Sequence, residues 1–197
     1  AHCRADIGLP GGQEALVEAV AATGKPIILV VMAGRPLTLG AIVDQVDAVL
    51  YAWHPGTMGG PAIADLLFGL ETPSGKLPTT FPLHVGQIPM YYARKNTGRP
   101  PEDDHITHID DIDGRAPQTS LGMSAFYLDA GFKPAYPFGH GLSYTRFEYS
   151  DIAASSGRIA IGETIEISAT LSNCGDRDGV EIAQLYLRDL VGSVTRP

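Results

Sequence analysis

The rhythm of polar and apolar positions changes twice along the chain. Between Gly11 and Gly24 the apolar residues Leu16, Val17, Val20 and Ala21 recur at three- and four-residue spacing, with Gln13, Glu14 and Glu18 between them. That spacing predicts an amphipathic helix, and Gly24 stands where a C-terminal capping glycine belongs. After Lys25-Pro26 comes Ile27-Ile28-Leu29-Val30-Val31-Met32-Ala33, apolar throughout and rich in β-branched residues. A parallel strand buried between helices reads this way. Gly34-Arg35-Pro36-Leu37 closes it, a short helix is predicted over Leu39 to Gln45, and a second buried strand over Ala48 to Trp53. The glycine-rich stretch Trp53-His54-Pro55-Gly56-Thr57-Met58-Gly59-Gly60 leaves the C-terminal end of that strand and opens a helix, Pro61 to Phe68, with proline in its first turn. Ligands of open α/β sheets bind at such strand ends.

Past Gly69 the pattern loosens. Pro73-Ser74-Gly75-Lys76-Leu77-Pro78-Thr79-Thr80-Phe81-Pro82 is punctuated by prolines that suit connectors and sheet edges, and Gln87 to Tyr92 predicts a short strand. From Arg94 to about Phe138 no periodicity is sustained, and a loop of that length in a compact domain is usually functional or mobile. Tyr136-Pro137-Phe138-Gly139-His140-Gly141-Leu142-Ser143-Tyr144 reads as an aromatic and glycine hinge. Beyond it Phe147-Glu148-Tyr149, Thr164 to Leu171 and Val180 to Leu187 alternate strictly, with Asn173-Cys174-Gly175-Asp176 as the turn between the last two. Three or four strands begin an antiparallel sandwich but fall short of the roughly seven that complete one. The expected fold is therefore α/β, a three-layer α/β sandwich with a mostly parallel sheet over residues 1–135. A hinge at 136–145 and an incomplete antiparallel β-sandwich at 146–197 follow it.

Composition narrows the classes. The chain has 197 residues, 14 Lys+Arg against 22 Asp+Glu, a net charge of −8, 44 % hydrophobic residues and 2 Cys, and its mean hydropathy is +0.04. Enough apolar material is present for a core, which excludes disordered and collagen-like classes. Nucleic acid is not an expected partner, because phosphate backbones call for a basic patch and the densest charge cluster, Glu102 to Asp113, is acidic. Nor is a membrane, since the longest apolar run is of strand length against the roughly 20 residues of a spanning helix. Cys3 and Cys174 lie too far apart in sequence to make a disulfide framework and leave the redox compartment open. A chain that starts at Ala1 without Met and stops inside a sandwich is expected to be a piece of a longer protein.

Several motifs, in order, carry a resemblance. Lys25-Pro26 with the strand to Gly34-Arg35-Pro36, the loop Trp53 to Gly60, Pro73-Ser74-Gly75-Lys76-Leu77-Pro78, Asn96-Thr97-Gly98-Arg99-Pro100 and Tyr136 to Tyr144 together resemble glycoside hydrolase family 3. Among its members the chain looks most like the bacterial periplasmic β-glucosidases, and the likeness runs along essentially its whole length. The resemblance implies an N-terminal barrel carrying a nucleophilic Asp, an α/β sandwich carrying the acid/base, and often a fibronectin III-like domain. This chain aligns with the later part of the second and the start of the third. The nucleophile's motif is absent, and the acid/base glutamate of related proteins falls upstream of Arg4-Ala5-Asp6-Ile7-Gly8-Leu9-Pro10. No catalytic residue is assigned here. The implied partners are a β-linked oligosaccharide or glucoside and the barrel, and the implied location is periplasmic or secreted.

The chemistry of the residues agrees. A retaining glycosidase needs two carboxyl groups about 5–5.5 Å apart. Glu14 and Glu18 sit on the polar face of a predicted helix, which is a solvated surface, and Asp65 lies inside a helix in a capping or surface role. Counting back from Gly114 as position six of a calcium loop puts Ile109 at position one and Ser120 at position twelve, so both end carboxylates fail. His105 and His108 lack a third ligand at helical spacing. No metal and no cofactor is expected. The substrate-binding candidates are Trp53, whose indole can stack on a sugar, His54 and Thr57, which can donate to hydroxyls, Met58 beside them, and Asn96, Thr97 and Arg99, which offer an amide, a hydroxyl and a cationic fork. Against these stand plainer roles: Trp53 as core, glycines that only open a helix, and a long loop that only packs on the barrel. Tyr91, Tyr92, Tyr127 and Asp129 are weaker candidates, since such aromatics more often pack between domains.

The reading is thus a part of a retaining β-glucosidase acting on terminal non-reducing β-D-glucosyl or related residues, inactive alone. A stand-alone carbohydrate-binding or interaction module is the alternative. A dinucleotide-binding domain ranks low because the loop lacks G-x-G-x-x-G spacing. Self-association through the open edges of the unfinished sandwich is expected.

Overall fold

The computed structural model describes residues 4–95, 98–117 and 120–192. They form two compact units, one of Ala1–Gly59, Leu77–His140 and Tyr186–Pro197, the other of Gly60–Lys76 and Gly141–Leu185. Each is built from its own segments.

The first unit opens with α1, Gln13–Ala21, shorter at both ends than the hydrophobic spacing predicts. No side chain caps its start, but Glu14 in the first turn complements the positive end of the helix. The chain leaves through backbone bonds from Ala22, Thr23 and Gly24, the last with φ +66°. Strands β1, Ile28–Val31, and β2, Ala48–Tyr51, pair in parallel, Ile28 opposite Ala48 and Val31 opposite Tyr51. A 3-10 turn, Gly40–Gln45, replaces the short helix expected between them. Asp47 ties the two strand entries together, its Oδ2 accepting from the Ile27 amide at 2.7 Å.

Val31, Leu37, Leu39 and Ile42 are buried against one another, with Leu9, Val17, Leu29, Val49 and Tyr51 packed around them. Full burial of such a side chain is worth roughly 1.5–3 kcal/mol. The expectation that β1 is buried on both faces is not met, because Ile28 is 52 % and Met32 64 % exposed. Leu29, Val31 and Ala33 face the core, while Ile28 and Met32, at alternate positions of the run, stay in solvent. The same limit applies to α1, where Val17 joins the core but Leu16 and Val20 stay exposed.

The strand expected over Gln87 to Tyr92 is absent. A 3-10 turn spans Val85–Gln87, the Ile88–Pro89 peptide is cis, and the Gln87 side chain turns inward. From Arg94 onward the segment is irregular as expected, with 3-10 turns at Asp103–His105 and Ile109–Asp111. Phe81 bridges to Tyr136 in antiparallel fashion, and Phe138 stacks on Tyr92 at 4.6 Å between ring centres. Tyr136 and Phe138 thereby pack inside the first unit.

The second unit contains the residues of helix α2, Gly59–Leu67, that follow its first residue, and the antiparallel pair β3, Phe147–Ala154, and β4, Ile167–Asn173. The ladder slips between Ser150 and Ala153, where Asp151 adopts φ +52°. The third strand predicted at Val180 to Leu187 does not form among the described residues. The hydrogen bonds of the segment that follows β4 go elsewhere: Thr72 donates to the Asp178 carbonyl, Arg177 to the Gly69 carbonyl, and Lys76 pairs with Glu181 at 3.1 Å. Bonds to residues 69–76, each involving a side chain on one of the two stretches, hold this segment instead of a sheet ladder.

Candidate functional site

Both parallel strands end on the same side, so Gly34-Arg35-Pro36 after β1 and Trp53-His54-Pro55 after β2 are neighbours at the C-terminal edge. A backbone bond from Ala52 to the Val31 carbonyl, 2.8 Å, carries the pairing to the brink of the loop. Trp53 then adopts φ +52°, a left-handed conformation that an aromatic residue takes only when its surroundings impose it. Its half-buried indole lies against Tyr51, 4.8 Å between ring centres, and Phe81, 5.9 Å. Phe81 meets Tyr136 in turn. Trp53 is therefore one end of an aromatic row rather than a free-standing platform.

His54 is exposed on one side and rests on Gly34 on the other, where any Cβ would overlap its Nε2. The absent side chain at Gly34 makes the seat for the imidazole. Thr57 and Met58 are exposed, Met58 at 68 %. Gly59 is required because Pro55 packs where its Cβ would stand, at 2.6 Å. The loop thus gathers Trp53, His54, Thr57 and Met58 at one strand edge. Arg99 is exposed, and its carbonyl accepts from the Ala125 amide at 3.0 Å. Asn96 and Thr97 lie outside the described residues.

Tyr51 and Phe81 escaped the sequence reading of this site. Tyr51 donates its hydroxyl to the Arg35 carbonyl at 2.6 Å and accepts from the Leu37 amide at 3.3 Å, fixing the Gly34–Leu37 turn beneath His54. Burial pushes its phenol above the usual value of 10.0, and the Leu37 bond offsets part of that rise. The signal available in sequence was its two-residue offset from Trp53; Phe81 is distant in sequence and gave none.

Cavities among the described residues of the first unit lie near this edge and in the irregular segment. One, of about 210 Å³, is lined by Leu37, Val43, Asp44, Phe81, Leu83 and Tyr136 among others. Asp44 is its one carboxylate among the lining residues, and acid/base work on a glycosidic bond needs a pair. Another, of about 170 Å³, is lined by Gln87, Ile88, Pro89, Tyr91, Arg94 and Tyr127. Glu102, Asp104 and His105 bring ligand atoms within 4.8 Å of one another, yet all three are exposed, as solvated charge clusters are. Glu14 and Glu18 are exposed as well. No helix among the described residues is long and apolar enough to cross a membrane.

Residues 2–144 match the glycosyl hydrolase family 3 C-terminal domain. Over the whole chain, 44 % of residues are identical to a periplasmic β-glucosidase of Salmonella typhimurium, of which the chain covers 24 %. A putative β-xylosidase of Formosa agariphila is 37 % identical over 98 % of the chain and 22 % of its own length. The crystal structure of a β-glucosidase from Listeria innocua in complex with isofagomine superposes with a TM-score of 0.80 at 38 % identity, over 97 % of this chain and 25 % of that one. The chain spans about a quarter of the length of these relatives. The family match takes in α1, both parallel strands, the Trp53 loop and the irregular segment, and ends at Tyr144, just before β3. The mixed α/β chain built on these elements belongs to the glycosyl hydrolase family 3 C-terminal domain family.

Proposed function

We propose that this chain is the part of a retaining β-glucosidase that forms one wall of the sugar pocket, while both catalytic carboxylates stand in other parts of the enzyme. The observation that carries this reading is the 44 % identity to a β-glucosidase along the entire chain. Neither the cavity beside Asp44 nor the one beside Arg94 is lined by the pair of carboxylates that catalysis needs, which supports a wall over a catalytic centre. The substrate is a terminal non-reducing β-D-glucosyl or related β-linked residue. Trp53, His54, Thr57 and Met58 contact it at the strand edge, and Asn96, Thr97 and Arg99 contribute from the long loop. Residues 1–135 are part of a three-layer α/β sandwich, and residues 146–197 begin a fibronectin III-like domain beyond a hinge at 136–145. A barrel domain completes the pocket, and the enzyme works in the periplasm or outside the cell. Self-association through the exposed faces of β3 and β4 accompanies the separated chain.

In the whole enzyme, Trp53→Ala is expected to lower kcat/KM for an aryl β-glucoside about tenfold, the worth of one or two lost contacts. Unchanged kcat and KM in a folded Trp53→Ala enzyme would remove Trp53 from the pocket.

A further inference from the structure

The cavity of about 170 Å³ shares no residue with the Trp53 loop and is built rather than incidental. One wall is Tyr127, whose hydroxyl donates to the Gly86 carbonyl at 3.0 Å and whose backbone exchanges two bonds with Gly131 at 2.9 and 2.7 Å. Another is Gln87, 1 % exposed and bonded to Leu83 and Lys133. Tyr91 and Arg94 belong to one turn, closed by the Arg94 amide on the Tyr91 carbonyl at 3.1 Å. Arg94 lines the cavity, its side chain has no hydrogen-bond or ion-pair partner among the described residues, and no carboxylate is among the lining residues. In a chain of net charge −8 a cavity whose one charged lining group is a cation selects electron-rich oxygens.

Volume limits the ligand. A cavity of about 150 Å³ holds one benzene-sized ring, so this one takes a single six-membered ring. A guanidinium fork binds two neighbouring oxygens at once, and Tyr91, Tyr127, Ile88 and Pro89 line the space around it, a mixed polar and apolar surface of the kind a hydroxyl-rich ring presents. We propose that this cavity is a second sugar subsite, holding one pyranose ring with Arg94 on two adjacent oxygens, either vicinal hydroxyls or a carboxylate and its neighbour. The proposal stands apart from the pocket wall above, since the two sets of residues do not overlap.

The test is an amide NMR titration of the full chain with methyl β-D-glucopyranoside, with glucuronate and with inorganic phosphate. Saturable shifts at Ile88, Tyr91, Arg94 and Tyr127 with either sugar are expected, and the two arms tell vicinal hydroxyls from a carboxylate. Arg94→Gln should weaken the binding about tenfold or more, the worth of a charged hydrogen bond. Should Arg94→Gln lose its fold, Arg94→Lys, which keeps charge without the fork, is read instead and should also bind more weakly. No shift with either sugar, binding undiminished in the variant, or phosphate binding as tightly as the sugars, the mark of a small-anion site, overturns the proposal. Shifts confined to Trp53, His54 and Thr57 would support the pocket wall and overturn the second subsite.

Discussion

Replacing Gln87 by leucine removes the most deeply buried polar side chain of the first unit without much change of volume. Its Oε1 accepts from the Leu83 amide at 2.7 Å, with a longer contact to His84 at 3.4 Å, and its Nε2 donates to the Lys133 carbonyl at 3.1 Å. Leucine satisfies none of them. The Leu83 amide and the Lys133 carbonyl lose close partners at about 1–3 kcal/mol each and the His84 amide a weak one, and the gain from burying leucine returns part of that. A net loss of about 2–4 kcal/mol follows, a large share of the 5–15 kcal/mol by which domains are ordinarily stable. At about 2–4 °C per kcal/mol for a chain of this size, the midpoint falls by roughly 5–15 °C. Trp53, the single tryptophan, belongs to the first unit, so its fluorescence follows that unit's unfolding. Gln87→Glu supplies a check on mechanism. Its carboxylate would face the Lys133 carbonyl, so burial and repulsion raise its pKa and the variant loses stability as pH rises through that value. At low pH the protonated acid donates to the same carbonyl and recovers much of the loss. A Gln87→Leu midpoint within about 1 °C of wild type would refute the assignment of these Gln87 hydrogen bonds as stabilising links between residues 83–84 and Lys133.

Gly34→Ala should destabilise by about 1–3 kcal/mol through overlap with His54, and His54→Ala in the same chain should relieve most of it; additive losses in urea titrations would mean the two do not meet. Tyr51→Phe should cost about 1–2 kcal/mol near neutral pH, since it strips a partner from the Arg35 carbonyl and the Leu37 amide. Because burial raises the Tyr51 phenol, its stabilisation is present below the unfolded value of 10.0 and is lost as pH climbs through the folded one. The wild type should therefore lose stability above pH 10 more steeply than Tyr51→Phe, and parallel pH profiles would contradict this.

What was legible in the chain were features that repeat locally. The apolar runs after Lys25 and after Asp47 announced two strands, and the lack of polar alternation announced that they pair in parallel. The loop from Trp53 to Gly60 was placed correctly at their C-terminal edge. Features set by distant partners were not legible. Gln87 to Tyr92 has strand-like composition, but a buried amide and Pro89 fold it into a turn, and periodicity carries no sign that a glutamine will be inside. Val180 to Leu187 alternates as a strand does, yet its neighbourhood bonds to residues 69–76, more than a hundred positions away. The seat of His54 on Gly34 and the aromatic row from Trp53 through Phe81 to Tyr136 likewise join residues from separate segments. Such contacts leave no pattern in either stretch alone.

The role proposed for this chain is to shape a glucosidase pocket without supplying its catalytic acids. Hydrolysis of an aryl β-glucoside should be measured for the chain alone and for the same chain within the whole protein its gene encodes. No turnover above background is expected from the chain alone, and turnover from the whole. Hydrolysis by the chain alone that disappears on Asp44→Asn, or on replacing another of its own carboxylates, would contradict the account.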